Sequence, residues 1–275
     1  MSNLLPYMEL LRPVNGAMAI AGVIIGAALG GVGFMPPPTE LLIAALVSFL
    51  ISGAGMTLND YFDFRIDFMN RPNRPLPSGR ISTNAAMSWA AILYGTAIGF
   101  SVFALPWQLT SLAAMNILAT FLYAWWLKRT AVGNFMVSWL VASTFIFGAM
   151  LGVINPAVVA VAGMAFTINL SREIIKSLED VKGDKVNGAK TFVVAIGRDA
   201  AEWASLSFLF IGIGMSIVPY VLGQLKFGYL LLIIPSDLLA AWAGWQTFEN
   251  TGKAQKYVKY AMILALVAFA LGLVF

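Results

Sequence analysis

Residues 41–67 read LLIAALVSFLISGAGMTLNDYFDFRID, and the fold turns on the change of character inside this stretch. From Leu41 to Leu58 there is no ionisable side chain. A helix needs about 20 mostly apolar residues to cross the hydrocarbon core of a bilayer, and this run, continued to Asp60, supplies one. The next turns then carry Asn59, Asp60, Asp63 and Asp67 in close succession. An apolar span that ends in a knot of oxygen-bearing side chains predicts a membrane helix with chemistry at its edge.

Working outward, the same kind of run recurs along the chain. Nine segments are predicted to span: 14–33, 41–60, 83–104, 108–127, 133–152, 157–174, 203–222, 227–247 and 256–275. Turn chemistry separates them, for example Pro106, Gly133, Asn155-Pro156 and Gly223. The 275 residues are 60% hydrophobic and 11% charged, against about 25% charged in soluble domains, so lipid is the solvent for much of the chain. The expected class is an all-α integral membrane protein with nine transmembrane helices, forming a single domain over residues 1–275. The opening residues MSNLLPYMELLRPVNG lack a basic start followed by a short apolar core, so no cleaved signal peptide is expected.

Lysine and arginine placement orients the helices. With the N-terminus and the two long polar loops on the cytoplasmic side and the C-terminus outside, only Lys226 of the seventeen basic residues falls on the outer side. The long inner loops, about 59–82 and 172–202, follow the second and sixth segments. Recurrence four helices apart suggests two four-helix halves plus a ninth helix. A net charge of +4 suits a membrane surface; no nucleic acid and no required protein partner is implied. The chain has no cysteine and no histidine, which excludes disulfides, thiolate metal sites, a histidine base and imidazole ligands. Its chemistry must run on carboxylates, amides, lysines and arginines.

On a continuous helix, Asn59, Asp63 and Asp67 form one row with Asp60 close to it. Like charges at that spacing repel unless a cation neutralises them, and hard oxygen ligands suit magnesium, which takes one or two carboxylates plus substrate phosphates. The second polar segment runs from Arg172 to Asp184. If its helix continues, Glu173, Lys176, Asp180 and Asp184 share a narrow face, with Ile174, Ile175, Leu178 and Val181 covering the other. More than half of the thirteen acidic residues lie in these two motifs. Two such rows could converge on a phosphate-bridged metal cluster. Arg71, Arg74 and Arg80 follow the first motif, Lys128 and Arg129 end the fourth segment, and Arg12 precedes the first. Arginine binds phosphate oxygens in bidentate fashion and lysine as a point charge, so these residues complete a pyrophosphate clamp. For Arg65, Lys182, Lys185 and Lys190 a plain topological role suffices. Asp237, inside the eighth segment after Pro235-Ser236, is costly in a membrane and often functional there; a capping or interhelix hydrogen bond at the proline break is the favoured reading. The tryptophans near segment ends, Trp107, Trp125, Trp126 and Trp203, fit an interfacial belt.

The pattern Asn59-Asp60-x-x-Asp63-x-x-x-Asp67, followed by Asp180-x-x-x-Asp184, resembles the UbiA superfamily of intramembrane prenyltransferases, and the resemblance covers nearly the whole chain. Arg71-Pro72-Asn73-Arg74-Pro75-x-Pro77-Ser78-Gly79 and Arg172-Glu173-Ile174-Ile175-Lys176 are similar to its archaeal branch, which adds the second geranylgeranyl chain in ether-lipid synthesis. The resemblance implies that Asn59, Asp63, Asp67, Asp180 and Asp184 bind two magnesium ions bridging a prenyl pyrophosphate. Asp60 matches the motif without a defined role. The family's Tyr-x-x-x-Lys element is matched with one residue more, Tyr123 to Lys128. Arg12-Pro13-x-Asn15 looks like a family motif at the first helix that faces the site.

The resemblance further implies a central, water-poor chamber in which the prenyl group passes to the hydroxyl of a prenylglyceryl phosphate. Asp63, Asp67, Asp180, Asp184 and Lys128 would carry the chemistry. Arg12, Asn15, Arg71, Arg74, Lys128 and Lys176 would hold the phosphates, beside membrane lipids. An aromatic acceptor, as in quinone-precursor synthesis, is the alternative. A transporter is a third reading, with Asp237 as an ion site; it leaves the acidic rows at the inner edge unexplained. An alcohol phosphatidyltransferase would need Asp-Gly-x-x-Ala-Arg, which is absent.

Overall fold

The computed structural model describes residues 4–33, 37–186 and 188–275, with every side chain in those ranges except that of Lys182. Among the described residues there are thirteen α-helices and no strand. In chain order they are Leu5–Leu11 (α1), Pro13–Leu29 (α2), Thr39–Phe62 (α3), Phe64–Asn70 (α4), Thr83–Ala104 (α5), Trp107–Trp125 (α6) and Gly133–Ala149 (α7). Pro156–Val186 (α8), Phe192–Ile196 (α9), Arg198–Ser216 (α10), Val218–Val221 (α11), Gly228–Gln246 (α12) and Thr251–Val274 (α13) complete the set.

The nine predicted segments correspond in order to α2, α3, α5, α6, α7, α8, α10, α12 and α13. By length and apolarity, six of these can cross a membrane on their own: α3, α5, α8 to Val181, α10 continued through α11, α12 and α13. The number reaches seven if α1 and α2, bent by 49° at their break, count as one broken span. The expectation of nine is therefore met by nine helices but by only six or seven spans on this criterion. α7, with 17 residues, falls short of the bilayer length, and α6 carries Gln108, Thr110, Ser111, Asn116 and Thr120 along its course.

The helix ends follow local chemistry. Ser82 caps α5 by accepting from the Ala85 N–H at 3.2 Å, and Asn250 caps α13 by accepting from Lys253 N–H at 2.9 Å. Asn155 accepts from Val158 N–H at 3.0 Å to start α8, while its amide donates to the Leu29 carbonyl at 2.6 Å.

The chain divides into two compact units, Met1–Val23 with Gly33–Trp126, and Ile24–Val32 with Leu127–Phe275. The boundary after Trp126 falls at the end of the fourth predicted segment. In the first unit α3 is the hub, packed against α5, α6 and α1. Gly53, Ala54 and Gly55 are buried on it, and a side chain at Gly53 would strike Leu11. In the second unit α8 packs against α7, α10 and α13, and α12 pairs with α13. Small residues permit the approach, as expected where lipid gives no hydrophobic drive between helices. A Cβ at Gly26 would collide with the Phe145 carbonyl, and one at Gly152 with the Gly30 carbonyl.

Candidate functional site

The first polar motif does not lie on one unbroken helix, which corrects the expectation of a continuous row. α3 ends at Phe62, and Asp63 sits at the junction with φ −91° and ψ 3° before α4 begins. The hydrogen-bond ladder nonetheless carries through, from Asp63 N–H to the Asn59 carbonyl at 2.9 Å and from Asp67 N–H to the Asp63 carbonyl at 2.8 Å. Asp63 is thus at a kinked point of the ladder, half-buried, while Asp60 and Asp67 are buried.

Arginines balance these two carboxylates. Arg12 Nη2 donates to Asp60 Oδ1 at 2.5 Å. A single nitrogen of Arg74, Nη1, serves both Asp60 Oδ1 at 3.0 Å and Asp67 Oδ2 at 2.5 Å. Asp60 is therefore the anchor of two arginines, a role that motif spacing alone did not assign. Arg12 also approaches Met56 Sδ at 3.6 Å, as does Asn15 at 3.7 Å.

Arg12 is the one non-glycine residue with positive φ (48°) among the described residues. Pro13 disfavours helix at the residue before it, so α1 ends there. The left-handed backbone costs about 1–2 kcal/mol for a residue with a Cβ. Such strain persists where the surroundings over-determine it, here through the Asp60 pair.

The loop after α4 is stiffened by Pro72, Pro75 and Pro77 and pinned by buried Leu76, which packs with Leu10, Ile81 and Ala86. Arg80 forks onto Glu9, with both N–O distances 2.8 Å, and donates to the Asn73 carbonyl at 2.8 Å. Sequence spacing gave no signal for the Glu9 contact, since 71 positions separate the partners. Together these elements bound a cavity of about 490 Å³ lined by Glu9, Arg12, Asp60 and the segment from Asn70 to Pro75.

The second motif is helical throughout, because α8 runs 31 residues to Val186 rather than stopping near position 174. Ile174, Ile175 and Leu178 are buried and carry the helix past the membrane edge. Glu173, also buried, pairs with Arg172 at 2.7 Å and with Lys176 at 3.6 Å, so it positions both cations. Asp180 is exposed and Asp184 half-buried. Thr191 Oγ donates to Asp184 Oδ2 at 3.2 Å. Burial pushes the Asp184 carboxyl above its ordinary value; the Thr191 hydroxyl opposes this, the Asp180 charge adds to it, and Lys176 opposes it. Lys128 lies in a 3₁₀ turn, Leu127–Arg129, and Tyr123 lies on the last turns of α6. Lys190 N–H donates to the Arg129 carbonyl at 2.9 Å, tying that turn to the end of the second polar loop.

Do these residues fit a divalent cation? Among the described residues no three carboxylates gather into a ready cluster, so substrate oxygens would have to complete any coordination shell, as magnesium ordinarily requires. The Asn59 side-chain oxygen is buried with no hydrogen-bond partner among the described residues, a costly state for an acceptor that a cation would relieve. Asp180 and Asp184 repel each other across one turn, which a cation also relieves. The donor set is all oxygen, matching a hard ion.

Asp237 takes no part in either motif. Ser216 Oγ donates to its Oδ2 at 2.6 Å, and Tyr229 OH donates to the Ser216 carbonyl at 2.8 Å. With Pro235 inside α12, this is the interhelix hydrogen bond favoured for a proline break.

Long apolar helices, with oxygen-rich helix ends and flanking guanidinium groups, define the class: a multi-pass, all-α membrane protein. Comparison with known proteins narrows it. Residues 19–274 match the UbiA prenyltransferase family, and the chain belongs to that family. It is 37% identical over 271 residues to digeranylgeranylglyceryl phosphate synthase of Methanopyrus kandleri, covering 96% of this chain and 97% of the relative. The Pyrococcus horikoshii protein of the same name is also 37% identical, over 97% of this chain and 96% of its own length. A solved structure of digeranylgeranylglyceryl phosphate synthase aligns with TM-score 0.79 at 30% identity, covering 100% of this chain and 99% of that one. A UbiA homolog from Archaeoglobus fulgidus bound to GPP and Mg2+ shares the fold at TM-score 0.72 and 16% identity, over 97% and 98% of the two chains.

Proposed function

We propose that this membrane enzyme transfers a geranylgeranyl group from geranylgeranyl pyrophosphate to the hydroxyl of geranylgeranylglyceryl phosphate and releases pyrophosphate. The observation that carries the reading is the 37% identity, over nearly the full length of both chains, to relatives bearing the name of that synthase. The finer reading has nine spans around a water-poor chamber, with the N-terminus and both polar loops cytoplasmic and the C-terminus outside.

Asn59, Asp63, Asp67, Asp180 and Asp184 would hold magnesium, two ions in all, with Asn59 Oδ1 and the Asp180–Asp184 pair as the supporting observations. Bound magnesium supplies charge neutralisation for the leaving pyrophosphate. Lys176 in the second motif and Lys128 in the 3₁₀ turn Leu127–Arg129 would serve as compact charges for phosphate oxygens, and Glu173 holds Lys176 in place. As the allylic carbon–oxygen bond breaks, the acceptor hydroxyl forms the new ether bond, and its proton leaves with pyrophosphate or on a carboxylate. Preorganised charge is the dominant contribution in such a step. Excluding water keeps the allylic cation from hydrolysis.

The deciding experiment gives purified protein magnesium, geranylgeranyl pyrophosphate and either geranylgeranylglyceryl phosphate or an aromatic acid. The diether phosphate is the expected product. Turnover of the aromatic acid alone would overturn the acceptor.

A further inference from the structure

We infer that the 490 Å³ cavity between the α1–α2 break and the proline-stiffened loop is the subsite for the phosphate monoester of a glyceryl-lipid acceptor, with Arg71 setting specificity. This rests on the acceptor reading above and assigns residues to it.

The ionisable side chains that line the cavity are Glu9, Arg12, Asp60, Arg71 and Arg74. Glu9 is held by Arg80, and Asp60 by Arg12 and Arg74. Arg71 is exposed and has no ion-pair partner among the described residues. Three guanidinium groups against two carboxylates leave the lining with one positive charge in excess. Arg74 commits only Nη1 to its carboxylates, so its remaining N–H groups are available to a ligand. Asn70 and Asn73 add amides at the rim. A phosphate monoester carries about −1.5 to −2 charge at pH 7 with three acceptor oxygens, which guanidinium forks match in geometry.

Two observations separate this cavity from the pyrophosphate site. The cavity's lining includes none of Asn59, Asp63 and Asp67, and both of its carboxylates are already committed to arginines, so the cavity itself offers donors for an anion, with Arg74 as its link to Asp67. The helices that supply the lining also carry exposed apolar side chains: Leu5 and Met8 precede Glu9 on α1, and Phe68 and Met69 precede Asn70 on α4. A charged cleft whose flanking helices expose apolar side chains fits an amphiphile better than a free ion. The rigidity from Pro72, Pro75, Leu76 and the Arg80 contact to the Asn73 carbonyl holds the donors in place before binding. On a three-carbon glyceryl scaffold, holding the phosphate also fixes the reacting hydroxyl within two carbons of it.

The test uses the full-length protein in detergent micelles, with 1-O-alkylglyceryl phosphate, the matching 1-O-alkylglycerol and inorganic phosphate as probes. The lipid phosphate should bind at least tenfold more tightly than the alcohol, about 1.4 kcal/mol, and inorganic phosphate should compete poorly. Arg71→Ala should close that gap and Arg71→Lys restore part of it. In steady-state turnover, Arg71→Ala should raise KM for geranylgeranylglyceryl phosphate about tenfold and leave KM for geranylgeranyl pyrophosphate unmoved. Equal binding of lipid phosphate and alcohol, inorganic phosphate competing as well as the lipid, or a rise in the donor KM instead would each overturn the subsite. Selective lipid-phosphate binding lost in Arg71→Ala, with no transfer to any glyceryl phosphate, would sink the acceptor reading and leave the subsite standing.

Discussion

Asp60→Asn separates the two roles a carboxylate can have in the first motif. Asp60 is buried and accepts one bond from Arg12 and one from Arg74. An amide keeps the shape and one acceptor oxygen but loses the charge. Hydrogen bonds involving charged groups contribute about 1.5–3 kcal/mol and neutral ones about 0.5–1.5, so two weakened bonds cost about 2 kcal/mol. Removing a carboxylate from a buried position offsets part of that, leaving a loss of about 1–2 kcal/mol. For a chain of this size the melting temperature should fall by about 2–8 °C. Asp60→Ala, which leaves both guanidinium groups without their anchor, should cost about 2–3 kcal/mol; the 3–5 typical of a broken buried pair is discounted because the arginine side chains are 34% and 23% exposed. Thermal unfolding in detergent, followed by tryptophan fluorescence, reads the change, and a magnesium titration of turnover runs beside it. The expected result is a lowered melting temperature with an unshifted magnesium midpoint. An unchanged melting temperature with the magnesium midpoint moved tenfold would make Asp60 a metal ligand and refute the anchoring argument.

Asp63→Ala should abolish magnesium-dependent turnover while the protein stays folded in the membrane; full activity in this variant would remove Asp63 from the site. Arg74→Ala frees Asp67 from its counter-charge, so magnesium should bind the substrate-free protein several-fold more tightly by calorimetry, while turnover falls. Gly26→Val should lower thermal stability by at least about 3 kcal/mol, because the backbone carbonyl of Phe145 stands where the first side-chain carbon would go and overpacking against backbone has no cheap relief. An unchanged melting temperature would show that α2 and α7 can part without cost.

The helices were legible because hydropathy runs are long, and lipid imposes helices on any chain that must satisfy its own backbone. The extension of α8 through Asp184 was legible as a condition: Ile174, Ile175, Leu178 and Val181 keep an apolar face past the span, and the structure meets it. The break at Asp63 was not legible. Nothing between Asn59 and Asp67 is proline or glycine, so spacing alone argued for an unbroken row. Ion pairs that set the site, Arg12 with Asp60 and Arg80 with Glu9, join residues 48 and 71 positions apart; periodicity reports only neighbours three or four apart. Asp237 was read from the opposite direction. Its cost inside a membrane demanded a partner, and Ser216 supplies it.

The charge balance of the first motif explains why so many ionised groups can sit at the end of an apolar helix. Asp60 and Asp67 are buried, and isolated carboxylates there would be expensive. Arg12 and Arg74 neutralise them within the protein itself, so the motif does not depend on a bound ion to be tolerable. The Arg74 nitrogen that bridges Asp60 and Asp67 stands between two carboxylates, where a cation is electrostatically favoured. A magnesium ion bound through Asp67 must therefore displace or share that guanidinium, and a displaced guanidinium is one free to meet phosphate. At the proposed site, cation binding and anion binding would thus be coupled through one side chain. That coupling would favour the arrival of metal together with phosphate over the arrival of either alone.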